Sequence, residues 1–249
     1  MEKPLEARIS DAHYSGASEY ERSSKRMMRE MIAALPASRV LDVGCGTGLN
    51  AGFLKARGHS VTGVDISPVA IERFTSQGFE GFVCDVSAQS LPVGNDTFDL
   101  VYASEVIEHC TDTETFLGEL FRVLRPGGKL VLSTPNSAFW PYRILAAAGR
   151  TPSEYQHQGH VRFFSQKSLR RAVENAGFGA VNVSGRHMYL LFGSAVDPAA
   201  VVLRKLGFEQ EQRFRTGGYF WQLSRFSPKA SGFWADTLFL DAAKPNTSA

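Results

Sequence analysis

The sequence predicts an α/β fold, a parallel sheet with helices on both faces. Three observations predict it. Short apolar runs alternate with helical segments of 8 to 14 residues, the pattern of repeated strand–helix–strand units. Glycine or proline closes most of these segments. Acidic residues stand at the carboxyl ends of three successive strands, at Asp42, Asp65 and Asp85, where ligands of such sheets bind.

The elements follow in order. Arg22 to Leu35 places Met27, Met28, Met31, Ile32 and Leu35 at helical spacing, and Pro36 stops the helix. Arg39 to Val43 is a strand that runs into glycines, Asn50 to Arg57 a helix closed by Gly58, and Ser60 to Val64 a second strand. Pro68 to Gln77 is a helix stopped by Gly78, followed by strands at Gly81 to Cys84 and Phe98 to Ala103. Thr113 to Leu124 is a helix ended by Arg125-Pro126-Gly127-Gly128, which feeds a fifth strand, Lys129 to Ser133. Ser165 caps a helix through Ala176 with Gly177 just past its end. Val181 to Val183 and Thr237 to Ala242 are late strands, and Pro245 to Ala249 is a loose tail.

The 249 residues suit one large domain, with an N-terminal helical segment at 1–37, a core at 38–136 and a second half at 137–249. A net charge of +2, with 43% hydrophobic and 21% charged residues, excludes a disordered chain and a broadly cationic nucleic-acid sheath. Cys45, Cys84 and Cys110 form no CxxC pair, so neither a disulfide framework nor a zinc knuckle is indicated. With no long apolar span and a polar start at Met1-Glu2-Lys3-Pro4, the chain is expected to be soluble and cytoplasmic.

After the first strand the chain reads Asp42-Val43-Gly44-Cys45-Gly46-Thr47-Gly48. Alternate glycines permit a tight turn and close approach of backbone to ligand. A GxGxxG dinucleotide loop fails because Leu49 stands where the third glycine belongs, and no Gly-Lys-Ser/Thr follows to make a P-loop. Asp65 is placed to accept both hydroxyls of a ribose, and Asp85 a hydrogen bond from an adenine amino group. Either alone reads as a cap, Asp65 standing just before Ser67-Pro68. Three acids at three strand ends form a joint pattern that capping does not predict.

These segments, with Phe98-Asp99-Leu100-Val101-Tyr102-Ala103 and Leu120-Phe121-Arg122-Val123-Leu124-Arg125-Pro126-Gly127-Gly128-Lys129-Leu130, resemble class I S-adenosylmethionine-dependent methyltransferases. The resemblance spans residues 38–136 and continues more weakly through His160-Val161-Arg162-Phe163-Phe164-Ser165. It implies a Rossmann-like sheet of seven strands and S-adenosylmethionine as cofactor. Asp42, Gly44, Cys45, Gly46 and Gly48 would pass under its methionine part. Asp65 and Ile66 would hold the ribose and Asp85 with Val86 the adenine, while Ala103, Ser104 and Glu105 would lie near the reactive methyl group.

Methyl transfer to oxygen also requires removal of a proton. His109, just after the fourth strand, and His160 are the candidates to support deprotonation or position the acceptor. Within the superfamily, Glu105-Val106-Ile107-Glu108-His109 most resembles the O-methyltransferases of ubiquinone biosynthesis. That resemblance implies a divalent metal at Glu105, Glu108 and His109, which share one face if the stretch is helical. His157 and His160 lack the further ligands that a structural zinc site needs. With Trp140 and Tyr142, they are expected on the acceptor's side.

Two insertions depart from a minimal methyltransferase, at 136–159 and at about 186–234. The second holds ten aromatic residues in 49 positions, nearly twice the density of the whole chain. It is expected to cap the active site or pack on a partner subunit. Its Arg204, Lys205, Arg213, Arg215 and Arg225 also admit peripheral membrane contact. Nucleic acid is an unexpected acceptor, since Ala103-Ser104-Glu105-Val106 replaces the Asn/Asp-Pro-Pro-aromatic turn of enzymes that methylate base amino groups. The expected reaction is O-methylation of a small molecule. N- or C-methylation of a metabolite or lipid-like acceptor, or cofactor binding without turnover, are the alternatives.

Overall fold

The computed structural model describes residues 23–33, 35–156, 159–192, 205–206, 209–215, 219–230 and 232–246. Nine strands form one sheet: β1 (Arg39–Val43), β2 (Ser60–Asp65), β3 (Glu80–Val83), β4 (Phe98–Ser104), β5 (Leu124–Pro135), β6 (Gly179–Phe192), β7 (Glu209–Arg215), β8 (Tyr219–Ser227) and β9 (Ala235–Ala243). Their order is β3-β2-β1-β4-β5-β9-β6-β8-β7. The first five run parallel, and β9 lies antiparallel between β5 and β6.

Strands β1, β2 and β4 are buried on both faces, which is why they read as near-continuous apolar runs. Alternate side chains enter two cores. Val40, Leu100, Tyr102 and Val131 face one side, with α1 (Ser23–Ala33), α2 (Leu49–Lys55) and α3 (Pro68–Ser76). Leu41, Val43, Val101, Leu130 and Leu132 face the other, with α4 (Thr113–Val123) and α6 (Gln166–Asn175). The expected helices therefore stand where the pattern put them, with small shifts at their ends.

Three features differ from the sequence reading. Among the described residues the sheet has nine strands rather than seven, because β7 and β8 come from the 186–234 insertion and pair antiparallel beyond β6. The described part of that insertion thus mainly extends the sheet at its β6 edge, though its end returns to the 136–143 segment: Trp140 N donates to Phe233 O at 2.9 Å. Second, β6 is 14 residues long, far beyond the expected Val181 to Val183. Third, Trp140–Ala147 form a helix, α5, that the sequence reading left unassigned. Arg204 lies outside the described residues.

Candidate active site

The glycine loop leaves β1 with Gly44, Gly46 and Gly48 at φ values of 71°, 54° and 94°. These left-handed conformations suit glycine, and the loop backbone faces the carboxyl ends of β1 and β2. Asp65 closes the cradle. Its two oxygens accept from Gly46 N at 3.0 Å and Ser67 N at 2.9 Å, and the side chain is buried. Ser67, not Asp65, caps α3, through Ala70 N to Oγ at 3.1 Å. The carboxylate therefore belongs to the loop, as a ligand-holding residue would.

The other expected cofactor residues surround this cradle. Asp42 is fully buried beneath the loop in register with Tyr102, and Cys45 is buried with its thiol toward Gly46 O at 3.7 Å. Ile66 is half-buried. Asp85, half-buried after β3 with Val86, accepts from Ser87 N at 3.0 Å and Ser87 Oγ at 2.7 Å. Ala103 and Ser104 end β4, and Ser104 Oγ lies 3.3 Å from Ser133 Oγ on β5. The cradle's three left-handed glycines and anchored carboxylate fit a nucleoside-bearing cofactor in which backbone donors must approach closely.

Beyond β4 the structure departs from the expected helix face. Glu105 sits at φ 56°, and Ile107–His109 form a single 3-10 turn. Glu105, Glu108 and His109 consequently do not line one helix face. The structure instead brings Glu108 and His109 together with His160, their ligand atoms all within 4.8 Å of one another. Among the described residues, this is the trio that geometry offers a metal, and Glu105 is outside it.

Each member is held in place. Glu108 is 1% exposed and its Oε2 accepts from Thr134 Oγ1 at 3.1 Å. Burial, reinforced by the nearby charge of Glu105, pushes its carboxyl well above the usual carboxylate range. The Glu108 carbonyl accepts from Val161 N and Arg162 N at 2.9 and 3.0 Å, which binds the late connection to the turn. His109 Nδ1 lies 2.9 Å from Gly159 O, and His160 Nδ1 lies 3.2 Å from Gln156 Oε1. The two rings meet edge to face, 4.9 Å apart.

Of the expected acceptor-side residues, Trp140 and Tyr142 are half-buried on α5, whereas His157 lies outside the described residues. Burial pushes the Tyr142 phenol up. Gln156 holds the His160 ring, a role the sequence reading missed because an isolated loop glutamine carries no signal. Thr134 was missed likewise: its partner Glu108 is 26 residues away. Val106 joins the two halves of the site. A Cβ on Gly44 would meet Val106 Cγ2 at 2.6 Å, and His109 N donates to Val106 O at 2.9 Å.

Comparison with known proteins identifies the family and the fold. A family model described as "Methyltransferase domain" matches residues 17–183. The chain is 29% identical over 161 residues to malonyl-[acyl-carrier protein] O-methyltransferase of Enterobacter lignolyticus, spanning 65% of this chain and 62% of that protein. It is 34% identical over 161 residues to the human mitochondrial ubiquinone biosynthesis O-methyltransferase, spanning 59% of this chain and 43% of that one. These alignments span less than two thirds of either relative. An S-adenosylmethionine-dependent methyltransferase of Mesorhizobium loti has a similar fold, with a TM-score of 0.57 at 20% identity over 92% of this chain and 99% of that one. The cradle, the strand order and the family match together place this chain among the class I S-adenosylmethionine-dependent methyltransferases.

Proposed function

We propose that the protein transfers a methyl group from S-adenosylmethionine to an oxygen of a small-molecule acceptor. One observation carries the choice of oxygen: Glu108, His109 and His160 gather beside the ends of β4 and β5, one turn from the Val106 that packs on the cofactor loop. The bound cofactor supplies an electrophilic methyl group. The chain's own task is to hold the acceptor in line and dry. His109 and His160 position its hydroxyl, with Gln156 fixing the His160 ring.

The names of both curated relatives support oxygen as the acceptor atom. Tyr155, Val161 and Phe163, near His160 in the sequence, stand 47%, 44% and 41% exposed, which favours an acceptor with an apolar body. Nucleic acid is not the proposed acceptor, in keeping with the near-neutral charge of the chain.

Release of S-adenosylhomocysteine against a panel of phenols, amines and carboxylic acids tests the reading. Turnover with hydroxyl or carboxyl acceptors is expected, and turnover confined to amines overturns it. His160→Ala is expected to lower kcat/KM at least about tenfold, while calorimetry shows unchanged cofactor affinity.

A further inference from the structure

The sheet anchors the first half of the glycine loop. Gly44 N and Cys45 N donate to Val64 O on β2 at 2.8 and 3.1 Å, and Gly46 N to the Asp65 carboxylate at 3.0 Å. The Thr47–Gly48 peptide lies past these anchors and leads into a glycine at φ 94°. With no Cβ to resist rotation, a peptide beside such a glycine turns over readily unless something outside the loop holds it. We propose that Gln77, at the end of α3, does so, as a positioning residue for the amino-acid part of S-adenosylmethionine. This rests on the methyltransferase reading of the loop, in which residues 44–48 pass under that part of the cofactor.

Both ends of that peptide are tied down. A glutamine amide carries two hydrogens, and Gln77 Nε2 donates to Thr47 O at 2.6 Å and to Arg73 O at 2.8 Å. Gly48 N, on the other side of the same peptide as Thr47 O, donates to Cys45 O at 3.1 Å. Gln77 is exposed, so water could take up its amide hydrogens. They go instead to main-chain carbonyls, one of them 30 positions back in the chain. The bond to Arg73 O, one turn earlier on the helix, orients the amide for that reach.

Helix α3 is a firm base for this contact, because it engages the cradle along its whole length. At its start Ser67 N donates to the Asp65 carboxylate at 2.9 Å. In its middle Phe74 is fully buried, and a Cβ on Gly63 or Gly48 would meet its ring at 2.5 or 3.1 Å. At its end the Gln77 amide packs on the loop, where the same Cβ on Gly48 would stand 3.4 Å from Nε2. One rigid element thus sets the ribose-side carboxylate and the far end of the loop relative to each other. The two ends divide the cofactor between them. Asp65 and Asp85 hold the nucleoside without the Thr47–Gly48 peptide, whereas the amino-acid part depends on it.

Calorimetry with two ligands separates positioning from general support of the fold. S-adenosylhomocysteine carries the amino-acid part, and methylthioadenosine is the same nucleoside thioether without it. Gln77→Met keeps the length of the side chain and loses both donors. Its dissociation constant for S-adenosylhomocysteine is expected to rise about three- to tenfold, while that for methylthioadenosine stays at the wild-type value. Hydrogen exchange at the Gly48 amide, followed by NMR, is expected to quicken in the same variant. Gln77→Arg, which retains N–H donors, is expected to keep the wild-type preference between the two ligands. Equal weakening of both ligands by Gln77→Met, or no weakening of S-adenosylhomocysteine, overturns the proposal. So does a wild-type protein that binds the two ligands equally. None of these outcomes touches the choice of oxygen as acceptor atom, which fails separately if turnover is confined to amines.

Discussion

Gly44 and Gly52 lie eight residues apart in sequence and respond oppositely to one added methyl group. At Gly44 the backbone is left-handed and a Cβ would sit 2.6 Å from Val106 Cγ2. Gly44→Ala is expected to lower the melting temperature and weaken cofactor binding together, because Val106 must move. Gly52, within α2, has nothing within 4 Å of such a Cβ. Gly52→Ala is expected to stabilise the fold by about 0.5–1 kcal/mol in thermal denaturation, with no change in cofactor affinity. Asp65→Asn loses the charge that binds two backbone N–H groups. Its dissociation constant for S-adenosylmethionine is expected to rise by about ten- to a hundredfold, and an unchanged value by calorimetry sinks the assignment. The sequence made Asp65 visible through its place at a strand end. It hid the meeting of His109 with His160, which depends on tertiary packing across 51 positions, and it misread Glu105 as helical because a positive φ at a non-glycine residue leaves no mark in composition.

Among the elements, α4 carries the most testable packing. Phe116, Leu117, Leu120 and Val123 bury one face against the sheet and α6. Leu120→Ala is expected to cost about 2–5 kcal/mol, read from denaturant unfolding. Glu119 on the same helix accepts from Arg122 Nε at 2.8 Å and Leu91 N at 2.7 Å, which ties the 91–95 loop down. The Arg122 hydrogen bonds hold its carboxyl below the usual range. Its contribution is therefore complete above the ordinary carboxylate pKa and lost as pH falls through the depressed value. The gap in melting temperature between wild type and Glu119→Gln should be widest near neutrality and close in acid. Strands β1, β2 and β4 were legible because burial on both faces leaves unbroken apolar runs. Helix α5 was not, since none of its residues is buried and no periodic stripe records it.

For the whole molecule, the legible part is the parallel half, where strands β1 and β2 are each followed directly by a helix and β4 by a short turn and then α4. The antiparallel half was largely illegible, because β6, β8 and β7 pair with one another across long separations without an intervening helical pattern. β7 forms the outer edge of the sheet, and its sequence Glu209-Gln210-Glu211-Gln212-Arg213-Phe214-Arg215 carries charges of both signs. Charged edge strands resist pairing with other chains. Replacing Arg213 and Arg215 by valine is expected to promote self-association, visible as concentration-dependent light scattering. Sedimentation unchanged from wild type would count against that role.

The place of β9 governs how the protein is made. It is the last strand in chain order, yet it pairs with β5 on one side and β6 on the other. Until Ala235 to Ala243 have been synthesised, the nascent chain holds two separate sheet fragments, each with an unprotected apolar border. Completion of the fold therefore waits for this strand, and ribosome-bound chains halted before Ala235 should remain open to protease where a product that includes it resists.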